Sequence, residues 1–268
     1  MVRKPAVAGY FYPGRAGELR ALVEGLLDPQ AKKAKALAVV SPHAGFVYSG
    51  RVAGAVYSSV EIPGRVVILG PSHQGIRSEF AIMSQGSWRT PLGEVPVDAE
   101  LAEAIRARSP LIREDPGGHA AEHSLEVQLP FLQCLKEAFS MVPVCVSSSA
   151  GYDDLESLAS AVAGAIMESG REALLVSSTD MSHYVSQEAA RGLDGLAIDR
   201  MLALDPRGLF DVVGEKNISM CGYQPTTAVL LAAKALGARK AELVLYRTSG
   251  DASGDYDRVV GYAGLRIL

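Results

Sequence analysis

The stretch Val66-Val67-Ile68-Leu69-Gly70-Pro71-Ser72-His73 runs four apolar residues into a glycine, a proline, a hydroxyl and an imidazole. A short, continuous apolar run bounded by turn residues reads as a strand buried on both faces, the form found in parallel sheets. Two other segments share the pattern. Ala38-Val39-Val40 leads into Ser41-Pro42-His43-Ala44-Gly45, and Leu174-Leu175-Val176 leads into Ser177-Ser178-Thr179-Asp180-Met181-Ser182-His183. Ligand sites in open α/β sheets lie beyond the carboxyl ends of the strands. Three of the five histidines stand at such ends, which places His43, His73 and His183 at one crevice.

Working outward, apolar strand runs alternate with helical periodicity. Glu18–Leu27 reads as a helix with Leu19, Leu22, Val23, Leu26 and Leu27 on one face, and a small-residue helix is expected near Ser49–Ser58. Phe80–Val97 reads as strands joined by turns. A long helical stretch is expected after Gly117-Gly118, broken or kinked at Pro130. Met141–Val146 and Ala173–Val176 read as strands and Leu155–Met167 as a helix. Further helices are expected at Glu188–Leu204 and Thr226–Leu236, and closing strands at Ala241–Tyr246 and Val259–Leu265, around a Gly/Asp/Ser loop from Ser249 to Asp257. No repeat or linker divides the chain. The expectation is a single α/β domain over residues 1–268, with a central mixed, largely parallel sheet.

The 268 residues are 48% hydrophobic and 21% charged, ordinary for a globular chain, so a disordered or fibrous protein is not expected. The formal net charge of −4 argues against nucleic acid or an anionic membrane as partner. Three cysteines cannot all pair within the chain, which favours a reducing compartment over a disulfide scaffold. Met1–Pro13 has no apolar signal core, and the longest apolar runs fall well short of the ~20 residues that span a bilayer. A soluble, cytoplasmic protein is expected.

Cys221 lies in Ser219-Met220-Cys221-Gly222-Tyr223-Gln224-Pro225, a turn leading into a helix that starts near Pro225. A helix start can stabilise a thiolate, which suits a nucleophile or a soft metal ligand. Cys134 and Cys145 sit among apolar residues and read as core filling. His119-Ala120-Ala121-Glu122-His123 matches the inverted zincin pattern H-x-x-E-H. His119 follows two glycines, however, and no third ligand is evident. His119 therefore reads as part of a helix start at which Glu122 and His123 make local hydrogen bonds, with His123 kept as a site-edge residue. The chain has no Walker A loop, dinucleotide-binding glycine motif, nucleophile elbow or C-x-x-C. The Gly/Asp/Ser tract lacks EF-hand spacing and reads as a loop.

Gly9-Tyr10-Phe11-Tyr12, Ser41-Pro42-His43-Ala44-Gly45, Gly70-Pro71-Ser72-His73, Glu122-His123-Ser124-Leu125-Glu126, Ser178-Thr179-Asp180-Met181-Ser182-His183 and Cys221-Gly222 occur in this order along nearly the whole chain. This set resembles the Memo (mediator of cell motility) family, which is similar in fold to the LigB-type class III extradiol dioxygenases. The resemblance implies a three-layer αβα domain. It implies His43, His73 and Cys221 as metal ligands, with Asp180 and His183 lining the pocket. His183 would stand where the dioxygenases keep their acid/base histidine, and His123, Glu122, Phe11 and Ser72 would lie around the centre. The implied metal is iron or copper, with zinc also suited to a His/His/Cys set. Family association implies a radical-SAM protein as partner. Animal members bind phosphotyrosine peptides but carry Trp at the position of Phe11.

The leading expectation is a metal-dependent oxidoreductase, with His183 taking a proton from an acidic, phenol-like substrate and Asp180 orienting that imidazole or binding the metal. The alternative is a non-catalytic protein that binds a small molecule or peptide in the same crevice. A third reading is a hydrolase with an activated Cys221 thiolate as nucleophile.

Overall fold

A computed structural model describes residues 1–268. The strands in chain order are β1 (Val2–Arg3), β2 (Ala38–Ser41), β3 (Arg65–Pro71), β4 (Phe80–Ile82), β5 (Ser87–Thr90), β6 (Gly93–Pro96), β7 (Ile112–Glu114), β8 (Ser140–Val146), β9 (Leu174–Ser178), β10 (His183–Val185), β11 (Ala241–Thr248) and β12 (Val259–Ile267). Nine of them build one sheet in the order β10-β12-β2-β9-β3-β8-β4-β7, with β11 also paired to β12. Its centre, β2-β9-β3-β8, is parallel; β12 joins β2 and β4 joins β8 antiparallel. The central strands are the apolar runs of the sequence. Every residue of β2, β3 and β9 is buried, because helices cover both faces of the sheet.

The helices are α1 (Ala16–Leu26), α2 (Phe46–Ser58), α3 (Ala99–Arg106), α4 (Pro116–His119), α5 (Leu129–Leu135), α6 (Tyr152–Ser169), α7 (Gln187–Leu202), α8 (Pro206–Glu215), α9 (Tyr223–Ala235) and α10 (Gly250–Ser253). One layer packs α1, α2 and α5 together, with α2 against β2, β11 and β12. The other packs α6 and α8 on α9, which lies against β2, β3 and β9. The result is the expected mixed three-layer architecture, filled by one contiguous apolar core that includes Cys145. No helix is long and apolar enough to cross a membrane.

Helix α10 forms a single turn inside the tract read as a loop, helix α3 was not expected, and two further stretches differ from the sequence expectation. Helix α8 follows α7 after a short break that the periodicity does not signal. Asp205 caps it by accepting from the Gly208 amide at 2.9 Å, and Pro206 occupies its first turn. The long helix expected after Gly118 is absent. Helix α4 is a single turn ending at His119, and residues 120–125 form an irregular segment before a 3-10 turn at Glu126–Gln128. The polar groups of this segment go to tertiary partners instead. The Glu122 carboxylate accepts from the His73 amide at 2.6 Å and the Ser124 amide at 2.8 Å. Pro130 opens α5 rather than kinking a helix, since a first-turn residue has no intrahelical donor to lose.

That irregular segment is pinned by a buried ion pair between Arg3 and Glu126. The Arg3 guanidinium also donates to the carbonyls of His119 at 3.0 Å and Glu122 at 2.6 Å, and it lies over the Trp88 ring at 4.2 Å. Glu126 accepts further bonds from the amides of Ala6 and Val7 and from the Tyr12 hydroxyl. Removing one member of such a pair leaves a buried charge without its partner, which costs about 3–5 kcal/mol. Glu126→Gln is therefore expected to lower stability by about that amount, read as a fall in the urea midpoint at neutral pH. A loss below about 1 kcal/mol would contradict this account of the hub.

Candidate metal centre

The carboxyl ends of β2 and β3 deliver His43 and His73, and the segment after α4 delivers His123. One ring nitrogen from each of the three lies within 4.8 Å of the others. The rings meet at centroid distances of 5.2 Å for His43–His73, 5.4 Å for His43–His123 and 4.5 Å for His73–His123. Close approach of the 122–125 segment depends on Gly70, where a Cβ would come within 2.7 Å of Ser124 Oγ and 2.8 Å of Leu125 Cδ1. His123, expected at the edge of the site, is thus a member of the cluster. Phe11 packs edge-on against it at 4.8 Å.

Cys221 reaches the same place from the start of α9. Its sulfur is 3.2 Å from His43 Nε2 and accepts from the Asp180 amide at 3.3 Å. Gly222 makes this possible, because a Cβ there would stand 2.6 Å from both the Ser178 carbonyl oxygen and Thr179 Cβ. Asp180, at the end of β9, accepts from the His43 amide at 2.8 Å. His183 is held by Ser219 rather than by Asp180: its amide donates to Ser219 Oγ at 2.7 Å, and its Nδ1 faces the Ser219 carbonyl at 2.8 Å. A carbonyl only accepts, so Nδ1 carries the proton and Nε2 is the basic nitrogen. Ser72 bonds through its amide to Val146, and its hydroxyl has no protein partner.

The remaining candidates fall elsewhere. His119 is fully buried against Trp88, with Nδ1 3.3 Å from Cys145 Sγ. Helix α4 ends at His119, so His119 and His123 never share a helical face, and no zincin pair forms. Cys134 is half-buried and packs against the core.

Burial and mutual repulsion set the charge of the centre. Burial, reinforced by His123 and His73, pushes His43 well below its usual pKa; burial lowers His123 as well. Burial alone would raise Glu122, but the His73 side chain and the amides of Ser124 and His73 outweigh it and hold the carboxyl at about 2. Glu122 is therefore ionised at neutral pH and accepts a proton-bearing His73 Nδ1 at 2.9 Å. Burial pushes Asp180 up to about 6, against the hydrogen bond from the His43 amide. The Cys221 thiol is also pushed up, by burial and then by the Asp180 charge. Burial thus opposes the lowering expected of the helix start, before whose N-cap, Gly222, Cys221 lies.

Imidazoles converging with a thiol suit a transition-metal ion such as iron, copper or zinc. His73 has the second feature of a metal ligand, a carboxylate hydrogen-bonded to one ring nitrogen, Nδ1, which leaves Nε2 free to coordinate. Sequence reasoning did not single out Ser178, Gln128 or Ser219. A signal for one of them, Gln128, exists in Glu122-His123-Ser124-Leu125-Glu126-Val127-Gln128-Leu129. Ser124, Glu126 and Gln128 alternate there with apolar residues, and all are fully buried.

Fold and site together define a three-layer α/β protein with a histidine-rich, cysteine-flanked centre at the carboxyl edge of its sheet. Residues 3–266 match the Memo-like protein family, and the chain belongs to it. A MEMO1 family protein of Methanothermobacter thermautotrophicus is 43% identical over 277 residues, covering 99% of this chain and all of the relative. One from Aquifex aeolicus is 42% identical, covering all of this chain and 99% of the relative. The crystal structure of an uncharacterized Escherichia coli K12 protein is similar in fold, with a TM-score of 0.56 and 14% identity over 86% of this chain and 99% of that one.

The opposed shifts predict a pH profile for the metal-free protein. His43 and His123 stay neutral in the folded state, so their stabilising contribution is lost as pH falls through about 6.5, where the unfolded chain takes up protons. Asp180 has the opposite sign: its raised pKa favours folding below about 3.8, and that contribution is gone above about 6. The melting temperature of metal-free Asp180→Asn, relative to wild type, should therefore rise between pH 4 and pH 7. A flat difference would contradict the assignment.

Proposed function

We propose that this protein is a metal-dependent oxidoreductase, its metal held by His43 and His73 with Cys221 and His123 as the neighbouring donors. The observation that carries the reading is the Glu122–His73 pair, which keeps the Nδ1 proton in place and leaves Nε2 as a lone-pair donor. When bound, an iron or copper ion supplies electron-transfer chemistry, whereas zinc would act only as a Lewis acid.

The chain's own residues have separable tasks. Glu122 stays ionised, so its charge orients His73 and offsets part of a cation's charge. His183, with Nδ1–H held by Ser219, presents Nε2 as a base for an acidic, phenol-like substrate. Asp180, held near 6 by burial, can keep or release a proton close to neutrality. Phe11 packs edge-on against His123 and covers one side of it. The reading of the crevice as an anion-recognition pocket is less well supported. Binding an anion through imidazoles needs protonated rings, and burial holds His43 and His123 neutral. A hydrolytic Cys221 is disfavoured by its raised thiol pKa.

Elemental mass spectrometry on protein purified anaerobically without a histidine tag tests the metal site. Wild type is expected to carry near-stoichiometric iron or copper, with His43→Ala and Cys221→Ser losing most of it. Protein that stays metal-free after reconstitution would sink the proposal.

The role of His183 is tested separately by oxygen uptake with candidate phenols. His183→Ala should keep its metal and lose about 100-fold or more in turnover, the usual share of a general base. Parallel loss of metal would make His183 a ligand instead.

A further inference from the structure

Beneath His43, on the side away from Cys221, lies a hydrogen-bond network that belongs to none of the groups assigned above. His43 Nδ1 is 3.0 Å from Ser178 Oγ. Ser178 Oγ has two other neighbours: the Ser124 carbonyl at 2.6 Å and Gln128 Nε2 at 2.9 Å. Gln128 Nε2 also donates to the Pro42 carbonyl at 2.9 Å, and Gln128 Oε1 accepts from the Tyr57 hydroxyl at 2.8 Å. Ser124, Gln128, Ser178 and Tyr57 are all fully buried.

The proton count in this network has one solution. The Pro42 carbonyl can only accept, so the Gln128 NH2 must face it, and the same NH2 donates its second proton to Ser178 Oγ. The Ser124 carbonyl can only accept, so the single Ser178 hydroxyl proton goes there. Ser178 Oγ then has no proton left for His43, and His43 Nδ1 must be the donor. The His43 lone pair therefore resides on Nε2, the nitrogen that meets Cys221.

The geometry points to Ser178, oriented by Gln128 and Tyr57, as the positioning residue that selects the metal-competent tautomer of His43. The inference rests on the metal-site reading for its consequence, but not for the proton assignment itself. It also makes His43 and His73 equivalent by different means. His73 has its Nδ1 proton held by an ionised carboxylate, which adds negative charge. His43 has its proton held by a neutral hydroxyl whose lone pair is exposed to the ring only because an amide and a carbonyl occupy the rest of it. The network spans β2, β9, α2 and the 122–128 segment, so it ties the orientation of His43 to the elements that deliver His123.

Without Ser178 Oγ, Nδ1–H would lose its acceptor, while an Nε2–H could turn to the Cys221 sulfur. Ser178→Ala should therefore move metal-free His43 toward the Nε2–H form, read by long-range proton–nitrogen NMR of labelled histidine. It should also weaken Zn2+ binding, measured by competition with a chromophoric chelator, by about 10–100-fold, the usual cost of removing a group that orients a ligand. Ser178→Thr, which keeps the hydroxyl, should restore both. Should Ser178→Ala not fold, Gln128→Met takes its place and should show a smaller change in the same direction. An unchanged His43 tautomer in the folded variant, or unchanged Zn2+ affinity beside a wild type that binds, would overturn the proposal. A wild type that binds no Zn2+, iron or copper would overturn the metal reading instead, and the tautomer measurement would still decide the role of Ser178.

Discussion

The Arg3–Glu126 pair is the constraint on which the rest of the centre depends. A carboxylate taken fully out of water must have its oxygens occupied, or its charge is too costly to bury. Glu126 is occupied by the Arg3 guanidinium, two amides of the N-terminal segment and the Tyr12 hydroxyl. Each of those partners belongs to the first twelve residues, so satisfying one carboxylate wraps that segment around the 119–126 stretch. Arg3 then uses its other nitrogens on the carbonyls of His119 and Glu122, and the irregular backbone has one place to lie. Phe11, Glu122 and His123 are delivered to the centre by this arrangement rather than by the sheet.

Around the centre the same burial has different effects on different groups. Two carboxyls stand near the histidines, and their environments drive them apart: Glu122 to about 2 by the donors that surround it, Asp180 to about 6 by desolvation. One is a permanent charge at neutral pH and the other a group close to its titration point. A separation of this kind is how a single site keeps an orienting anion and a proton-exchanging group side by side. His43 and His123, turned from the charged state by burial and by the neighbouring imidazoles, remain lone-pair donors.

Much of the sheet was legible because a strand covered on both faces must be apolar along its whole length, and Val66–Leu69, Ala38–Val40 and Leu174–Val176 have that form. His43 and His73 were legible for the same reason, as polar residues placed where such runs end, whereas His183 lies further on, at the start of β10. Cys221 stood out because it lies in a turn leading into a helix, where a thiolate can be stabilised. The helix expected after Gly118 failed because helical periodicity reports which face is apolar, not where side-chain carboxylates send the backbone amides. His123 and Glu122 were visible as residues, but their rank in the site was not. Nothing local says that a segment more than forty residues after β3 returns to lie on its end.

The amino-acid sequence by itself determined the α/β class, the parallel centre of the sheet, and the strand ends at which His43 and His73 stand. These follow from composition and period, which act residue by residue along the chain. Tertiary structure alone decided that His123 completes the cluster, that Ser219 rather than Asp180 holds His183, and that Ser178 and Gln128 stand beneath His43. Those facts depend on hydrogen-bond partners dozens of residues apart, and on desolvation that exists only once the layers have closed. A proton's position on an imidazole is set by the acceptor the fold supplies.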